Sequence, residues 1–134
     1  MIGDKVGDVA GKIVLRRVLP AGWGGPRIES TQRGSGTLLG VQYQDMSTYE
    51  SEIGPDGTVF GTGQGLYTGT GGEVATWPGQ GVGTLSKSGG LSLRGAVYLY
   101  SSSPTWQRLN AVASVFEYEI DAQDNYKGTL TEWK

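Results

Sequence analysis

Arg94 and Glu117 are the residues of this chain best placed to act on a ligand. A guanidinium facing a carboxylate across neighbouring strands can orient a polar group or polarise a carbonyl, provided the pair is buried among aromatic rings. On a solvated face the same pair is worth only about 0–1 kcal/mol. Trp77 is followed by Gly79, Gly81 and Gly83, and Arg94 by Tyr98 and Tyr100; pairing of the two segments would set these rings beside the glycines. Rings beside open space can form an apolar pocket with a few polar anchors. They can equally form a patch buried by a partner subunit. Both readings stay open at this point, because period-two alternation shows which residues share a face but not which face lines the interior.

Composition removes most other chemistry. The 134 residues include no His and no Cys, so neither a His-based triad, a thiolate nucleophile nor an imidazole or thiolate metal site can be built. The net charge of -2 argues against a phosphate-backbone partner. Gly61-Thr-Gly-Gln-Gly65 has the look of a phosphate loop, but no helix follows it to present its amides. Asp121-Ala-Gln-Asp-Asn125 lacks the ligand count of a calcium loop and reads as a hairpin turn. No metal and no cofactor is expected. The opening residues are not a signal peptide, and no run approaches the roughly 20 apolar residues of a membrane helix. The expectation is therefore a cytoplasmic protein without a membrane or nucleic-acid partner.

The elements that must position these residues are strands. Glycine takes 24 of the 134 positions, well over twice its usual share of about 7%. Almost every window long enough for a helix is interrupted, at about 1 kcal/mol per glycine. Turn signals recur at Gly54-Pro-Asp-Gly57, Gly69-Thr-Gly-Gly72, Lys87-Ser-Gly-Gly90 and Asp121–Asn125. The strands expected between them are Lys12–Val18, Gly36–Gln44, Thr48–Ile53, Thr58–Thr68, Glu73–Ser86, Leu91–Ser101, Asn110–Ile120 and Tyr126–Trp133. Short turns make sequential strands antiparallel neighbours. Their spacing exceeds the roughly 8–12 residues that mark a sandwich, and glycine-studded strands bend enough to close. The chain reads as one all-β domain, residues 1–134, an antiparallel up-and-down barrel of about eight strands with residues 1–11 loosely ordered.

Registers follow from the turns. Ile120 faces Tyr126, Tyr118 faces Gly128 and Glu119 faces Lys127; one strand back, Arg94 faces Glu117. Across Lys87–Gly90, Arg94 is expected beside Gly83, Tyr98 beside Gly79 and Tyr100 beside Trp77. That register gathers Trp77, Arg94, Tyr98, Tyr100 and Glu117 on one face. Trp23 and Trp106 fall in Pro- and Gly-flanked connections, where each caps a barrel mouth or packs on it.

Three segments carry a resemblance: Asp56-Gly-Thr-Val-Phe-Gly-Thr-Gly-Gln-Gly65, Gly79-Gln-Gly-Val-Gly83 and Arg108-Leu-Asn-Ala-Val-Ala-Ser-Val-Phe-Glu-Tyr-Glu-Ile-Asp121. Over roughly Gly34 to Lys134 the chain resembles small uncharacterised bacterial proteins that are themselves similar to the allene oxide cyclase-like barrels. The shared residues are glycines and turns, so the resemblance implies an eight-stranded, often oligomeric barrel before any activity. Some of that wider group cyclise or isomerise apolar ligands by steering their conformation, often beside a glutamate. Glu117 is the best-placed acid here.

The functional expectation is a barrel binding a small amphipathic ligand, with Trp77, Tyr98 and Tyr100 on its apolar body and Arg94 and Glu117 on its polar end. The alternatives are a cyclase or isomerase in the same cavity, and a homo-oligomer whose barrel is packed solid.

Overall fold

A computed structural model describes residues 1–134. Eight antiparallel strands close into a single barrel in chain order: β1 Ile2–Gly22, β2 Gly25–Leu38, β3 Val41–Ile53, β4 Thr58–Gly69, β5 Val74–Leu85, β6 Leu91–Val97, β7 Ala113–Ile120 and β8 Asn125–Trp133. The up-and-down all-β barrel read from the turns is the observed fold. No helix is long and apolar enough to cross a membrane.

Closure is made by the ladder between β1 and β8, from Ile2 opposite Trp133 to Lys12 opposite Asn125. Following paired residues around the wall, Asp8 leads through Thr129, Glu117, Arg94, Val82, Phe60, Glu52 and Arg27 to Leu19, further along the strand it started from. This stagger tilts the strands and sets the barrel's width. It also carries β1 past β8, so that beyond Ile13 β1 pairs with β2 alone.

Two expectations about the first third of the chain are corrected. Residues 2–11 are strand, paired on one side with β8 and, from Gly7, on the other with β2. Without them β8 would present an open edge, but Gly3, Asp4, Gly7 and Asp8 give no strand pattern. The single strand expected over Gly36–Gln44 is two strands joined at Leu39-Gly40, whose φ angles are 48° and 80°. Both residues in the left-handed region make the tight turn that suits strand twist. A leucine in that position gave no warning.

The C-terminal hairpin forms as its side chains predict. Ile120 faces Tyr126, Tyr118 faces Gly128 and Glu119 faces Lys127. The Asp121 carboxylate accepts the backbone N–H groups of Gln123 and Asn125 at 2.9 and 3.0 Å, which holds the turn.

The interior is filled unevenly. Strands β4 and β5 turn Gly61, Gly63, Gly65, Gly79, Gly81 and Gly83 inward, alternating with exposed neighbours. Rings occupy the space that they leave. A Cβ on Gly65 would lie 2.2 Å from the Trp77 indole nitrogen, and one on Gly81 would lie 2.8 Å from the tip of Phe116. One barrel end is plugged by the connection between β6 and β7, which contains a turn of 3-10 helix at Gln107–Ala111. Trp106 and Leu109, each 1% exposed, close that end with Leu38, Tyr43 and Leu99. The Trp106 indole donates to the Leu38 carbonyl at 2.9 Å. Arg108 pairs with Glu132 of β8 at 2.8 Å, pinning the plug to the wall. A smaller cluster of Ile13, Ile120 and Tyr126 forms a second core. Trp23, by contrast, is fully exposed in the β1–β2 turn.

The glycine-for-ring exchange is testable. Gly65→Ala should displace the Trp77 indole and lower stability by about 1–3 kcal/mol, read by urea unfolding. Thr62→Ala on the outer face of the same strand should change it by less than about 0.5 kcal/mol. Equal effects would contradict the packing described.

Candidate functional site

Of the five residues expected to form the site, Trp77 and Glu117 border one cavity of the barrel, and only Trp77 turns its side chain into the lumen. Arg94 and Glu117 pair with Nε to Oε1 at 3.1 Å, but their side chains are 66% and 67% exposed. They stand on the outer wall, and so do Tyr98 and Tyr100. The cause is a slip of one residue between β5 and β6. Gly83 lies opposite Leu93, and Arg94 opposite Val82. Leu85 pairs with Leu91, and Ser86 N–H donates to the Gly90 carbonyl around Lys87-Ser88-Gly89, with Gly89 at a φ of 91°. This loop is one residue shorter than the register first drawn. Because side chains alternate with period two, that slip moves Trp77 and the glycines to the opposite face from Arg94. The lumen therefore mixes the aliphatic set (Leu93, Val97, Phe116, Leu130) with Trp77.

The polar groups of the lumen come from elsewhere. Strand β3 points Tyr43, Asp45, Ser47, Tyr49 and Ser51 inward, of which Asp45 is 3% exposed. Three donors converge on its carboxylate: Gln32 Nε2 at 3.0 Å and Tyr126 OH at 2.8 Å on one oxygen, Ser47 Oγ on the other. The Tyr118 hydroxyl donates to Gln32 Oε1, and the Tyr49 hydroxyl lies 3.5 Å from that of Tyr118. Strands β2, β3, β7 and β8 are thus tied across the interior by one network. Room for it is made by Gly34, opposite Asp45 in the β2–β3 ladder: a Cβ there would lie 2.3 Å from the Tyr126 hydroxyl.

Burial dominates the electrostatics. Removal from water pushes the Asp45 carboxyl above the usual aspartate value, against the opposing pull of its bonds from Ser47, Tyr126 and Gln32. Burial, reinforced by the nearby Asp45 charge, raises the Tyr43 and Tyr126 phenols as well. They remain neutral donors throughout the physiological range.

Beside this network lies a cavity of about 90 Å³ that touches both cores, lined by Asp45, Gln32, Tyr67, Trp77, Phe116 and Tyr118 among others. The Trp77 indole N–H is buried with no hydrogen-bond partner. It sits close to Ser47: a Cβ on Gly65 would lie 2.2 Å from the indole nitrogen and 2.5 Å from Ser47 Oγ. The Trp77 ring and the Asp45 carboxyl therefore border one small space, with the unpaired indole N–H turned toward the wall at Gly65 and Ser47. No group of three or more acidic side chains is close enough to hold a metal ion. The sequence reading missed Asp45 because it fell between two expected strands. With the turn at Leu39-Gly40 recognised, the alternation Tyr43, Asp45, Ser47, Tyr49 would have placed it on one face.

A carboxyl with a raised native pKa binds its proton more tightly folded than unfolded. Its contribution to stability is complete below the ordinary value of 3.8 and is lost as pH rises through the native value. The unfolding free energy of the wild type, minus that of Asp45→Asn, should accordingly fall as pH rises from below 3.8 toward neutrality. Urea titrations across that range read it, and a difference that grows with pH would contradict the burial of Asp45.

No family model matches this sequence, and no curated protein matches it. Solved structures do. A conserved protein of unknown function from Rhodopseudomonas palustris superposes with a TM-score of 0.84 at 14% identity, over 98% of this chain and 97% of that one. A protein of unknown function from Clostridium acetobutylicum gives 0.84 at 12% identity, over 98% of each chain. A β-barrel-like protein from Acinetobacter baumannii gives 0.83 at 10% identity, over 99% of this chain and 96% of that one. None of the three is described as allene oxide cyclase-like. At such identities the likeness extends to the fold alone: this chain has the same barrel architecture as bacterial proteins without a stated activity.

Proposed function

We propose that the barrel binds a small, largely apolar molecule in its lumen through one hydrogen-bond acceptor, which takes the Trp77 indole N–H. The observation that carries this reading is a buried, unpartnered donor on a ring that borders a cavity; the indole turns from the wall at Gly65 and Ser47 to meet an acceptor there. Leaving a buried donor unpaired costs about 1–3 kcal/mol, a cost that a ligand carbonyl or hydroxyl oxygen would remove. Asp45 and Gln32 supply the polar surroundings, and Phe116, Tyr67 and Leu130 the apolar ones. Arg94, Glu117, Tyr98 and Tyr100 take no part.

Size limits the occupant. At about 90 Å³ the cavity is smaller than the roughly 150 Å³ space that admits benzene. It holds a handful of heavy atoms, which favours short-chain ketones or aldehydes over a long amphipathic ligand. A ligand so small binds in the millimolar range.

Asp45 favours a second reading, an isomerase in the same cavity. Its carboxylate would take a proton from the carbon beside a ligand carbonyl while Trp77 N–H stabilises the resulting enolate oxygen. Returning the proton to another carbon completes a shift that needs no cofactor.

Butanone is a suitable probe. The four tryptophans give four indole N–H resonances in a 15N-labelled sample. One should move saturably on titration and be missing from Trp77→Phe; if none does, the binding reading fails. Exchange of butanone α-protons in deuterated water should be accelerated by the wild type and not by Asp45→Asn. Binding without exchange would sink the isomerase alone.

A further inference from the structure

Between Thr58 and Leu85 the chain carries a single charged residue, Glu73, next to the β4–β5 turn. The outward positions of β4 and β5 are therefore wholly uncharged, and they include exposed Phe60, Val74 and Val82 as well as Pro78. The remaining wall is studded with charges, among them Arg27, Glu50, Arg94, Glu117, Glu119 and Lys127. Loss of charge together with exposed rings and branched side chains is the compositional mark of an interface core. The face continues onto Met46 of β3 and onto Tyr98 and Tyr100 beyond β6, all exposed.

We propose that this wall is the interface between two copies of the chain. Its size is sufficient. Strands of 12 residues run to about 40 Å at about 3.3 Å per residue, and four strands spaced about 4.8 Å apart span about 15–20 Å. The product, about 600–800 Å², approaches the roughly 800 Å² per partner of a standard stable interface.

The arrangement of side chains is self-complementary. Glu52, Phe60, Val82 and Arg94 are successive neighbours across β3 to β6. Further along the strands, Met46, Leu66, Thr76 and Tyr100 form a second row. A two-fold axis parallel to the strands, lying over the seam between β4 and β5, exchanges the two ends of each row. It sets Glu52 against the second copy's Arg94, Phe60 against Val82 and Met46 against Tyr100. Two acid–base contacts then flank an uncharged centre; within its own chain Arg94 also keeps Glu117, and Glu52 also accepts the Gly24 N–H. The other unpaired feature of the fold, the free edge of β1 beyond Ile13, carries Arg16, Arg17 and Pro20. Those residues oppose strand addition along the edge, although the same segment also exposes Val14, Leu15 and Val18; the wall is distinguished from it by its lack of charge.

Sedimentation velocity from low to high micromolar concentration tests this arrangement. The wild type should sediment as a species of twice the 14.2 kDa chain mass. Phe60→Lys should yield monomers that keep the wild type's far-ultraviolet circular dichroism spectrum, since Phe60 is exposed in the monomer, with a thermal midpoint lowered only by the lost association. Arg94→Glu should weaken the dimer by at least about tenfold, a loss of about 1.4 kcal/mol. Adding Glu52→Arg to it should restore association. A wild type that stays monomeric overturns the proposal, as does a dimer indifferent to Phe60→Lys. A monomer that pellets with phosphatidylcholine vesicles would assign the wall to a lipid surface, and would overturn it equally.

Discussion

Asp45 constrains the rest of the interior. A carboxyl held out of water is strongly unfavourable unless donors surround it, and here they come from Gln32, Ser47 and Tyr126 on three different strands. Each donor must reach the same point, so strand registers, glycine positions and ring orientations are coupled to it. Gly34 leaves room for the Tyr126 hydroxyl, and Tyr118 holds Gln32 in the orientation that presents its amide N–H to the carboxylate. The network bridges opposite walls of the barrel, which an apolar filling alone would not force into one arrangement.

The other half of the interior follows a different rule. Strands β4 and β5 contribute no inward bulk along most of their length, and rings anchored on β4, β5 and β7 fill the space. Such an exchange of glycine for aromatic surface rarely closes without remainder. The remainder is the cavity beside Trp77, where an indole N–H finds no partner. The tight plug of Trp106 and Leu109 keeps that space separate from one barrel mouth. The cavity and the fold are therefore two consequences of the same packing problem.

How much of this is legible in the sequence depends on whether side chains on both strands report the pairing. At Asp121–Asn125 they do: Glu119 meets Lys127, Tyr118 covers Gly128, and the register emerges correctly. Arg94 opposite Glu117 is equally legible, and correct. At Lys87–Gly89 they do not, because β5 offers glycines whose partner cannot be recognised by size or charge. A slip of one residue there costs nothing in apparent complementarity, yet it exchanges lumen for surface and moves the site. Leu39, holding a conformation usually left to glycine or asparagine, hid a turn and with it Asp45. The N-terminal half of β1 is strand because β8 needs a neighbour, a demand of closure that no local pattern expresses.

The two faces of β4 and β5 thus differ in character, with glycines and Trp77 directed inward and an uncharged wall outward. The lumen is the more fundamental claim, since Gln32, Asp45 and Tyr118, which line its cavity, are held by the hydrogen-bond network. A high-resolution crystal structure of the protein grown with butanone would test it most directly. The account predicts density for the ketone in the cavity, with its oxygen within hydrogen-bond distance of Trp77 Nε1. A cavity closed by side chains, or an indole N–H bonded to a group of the protein itself, would contradict it.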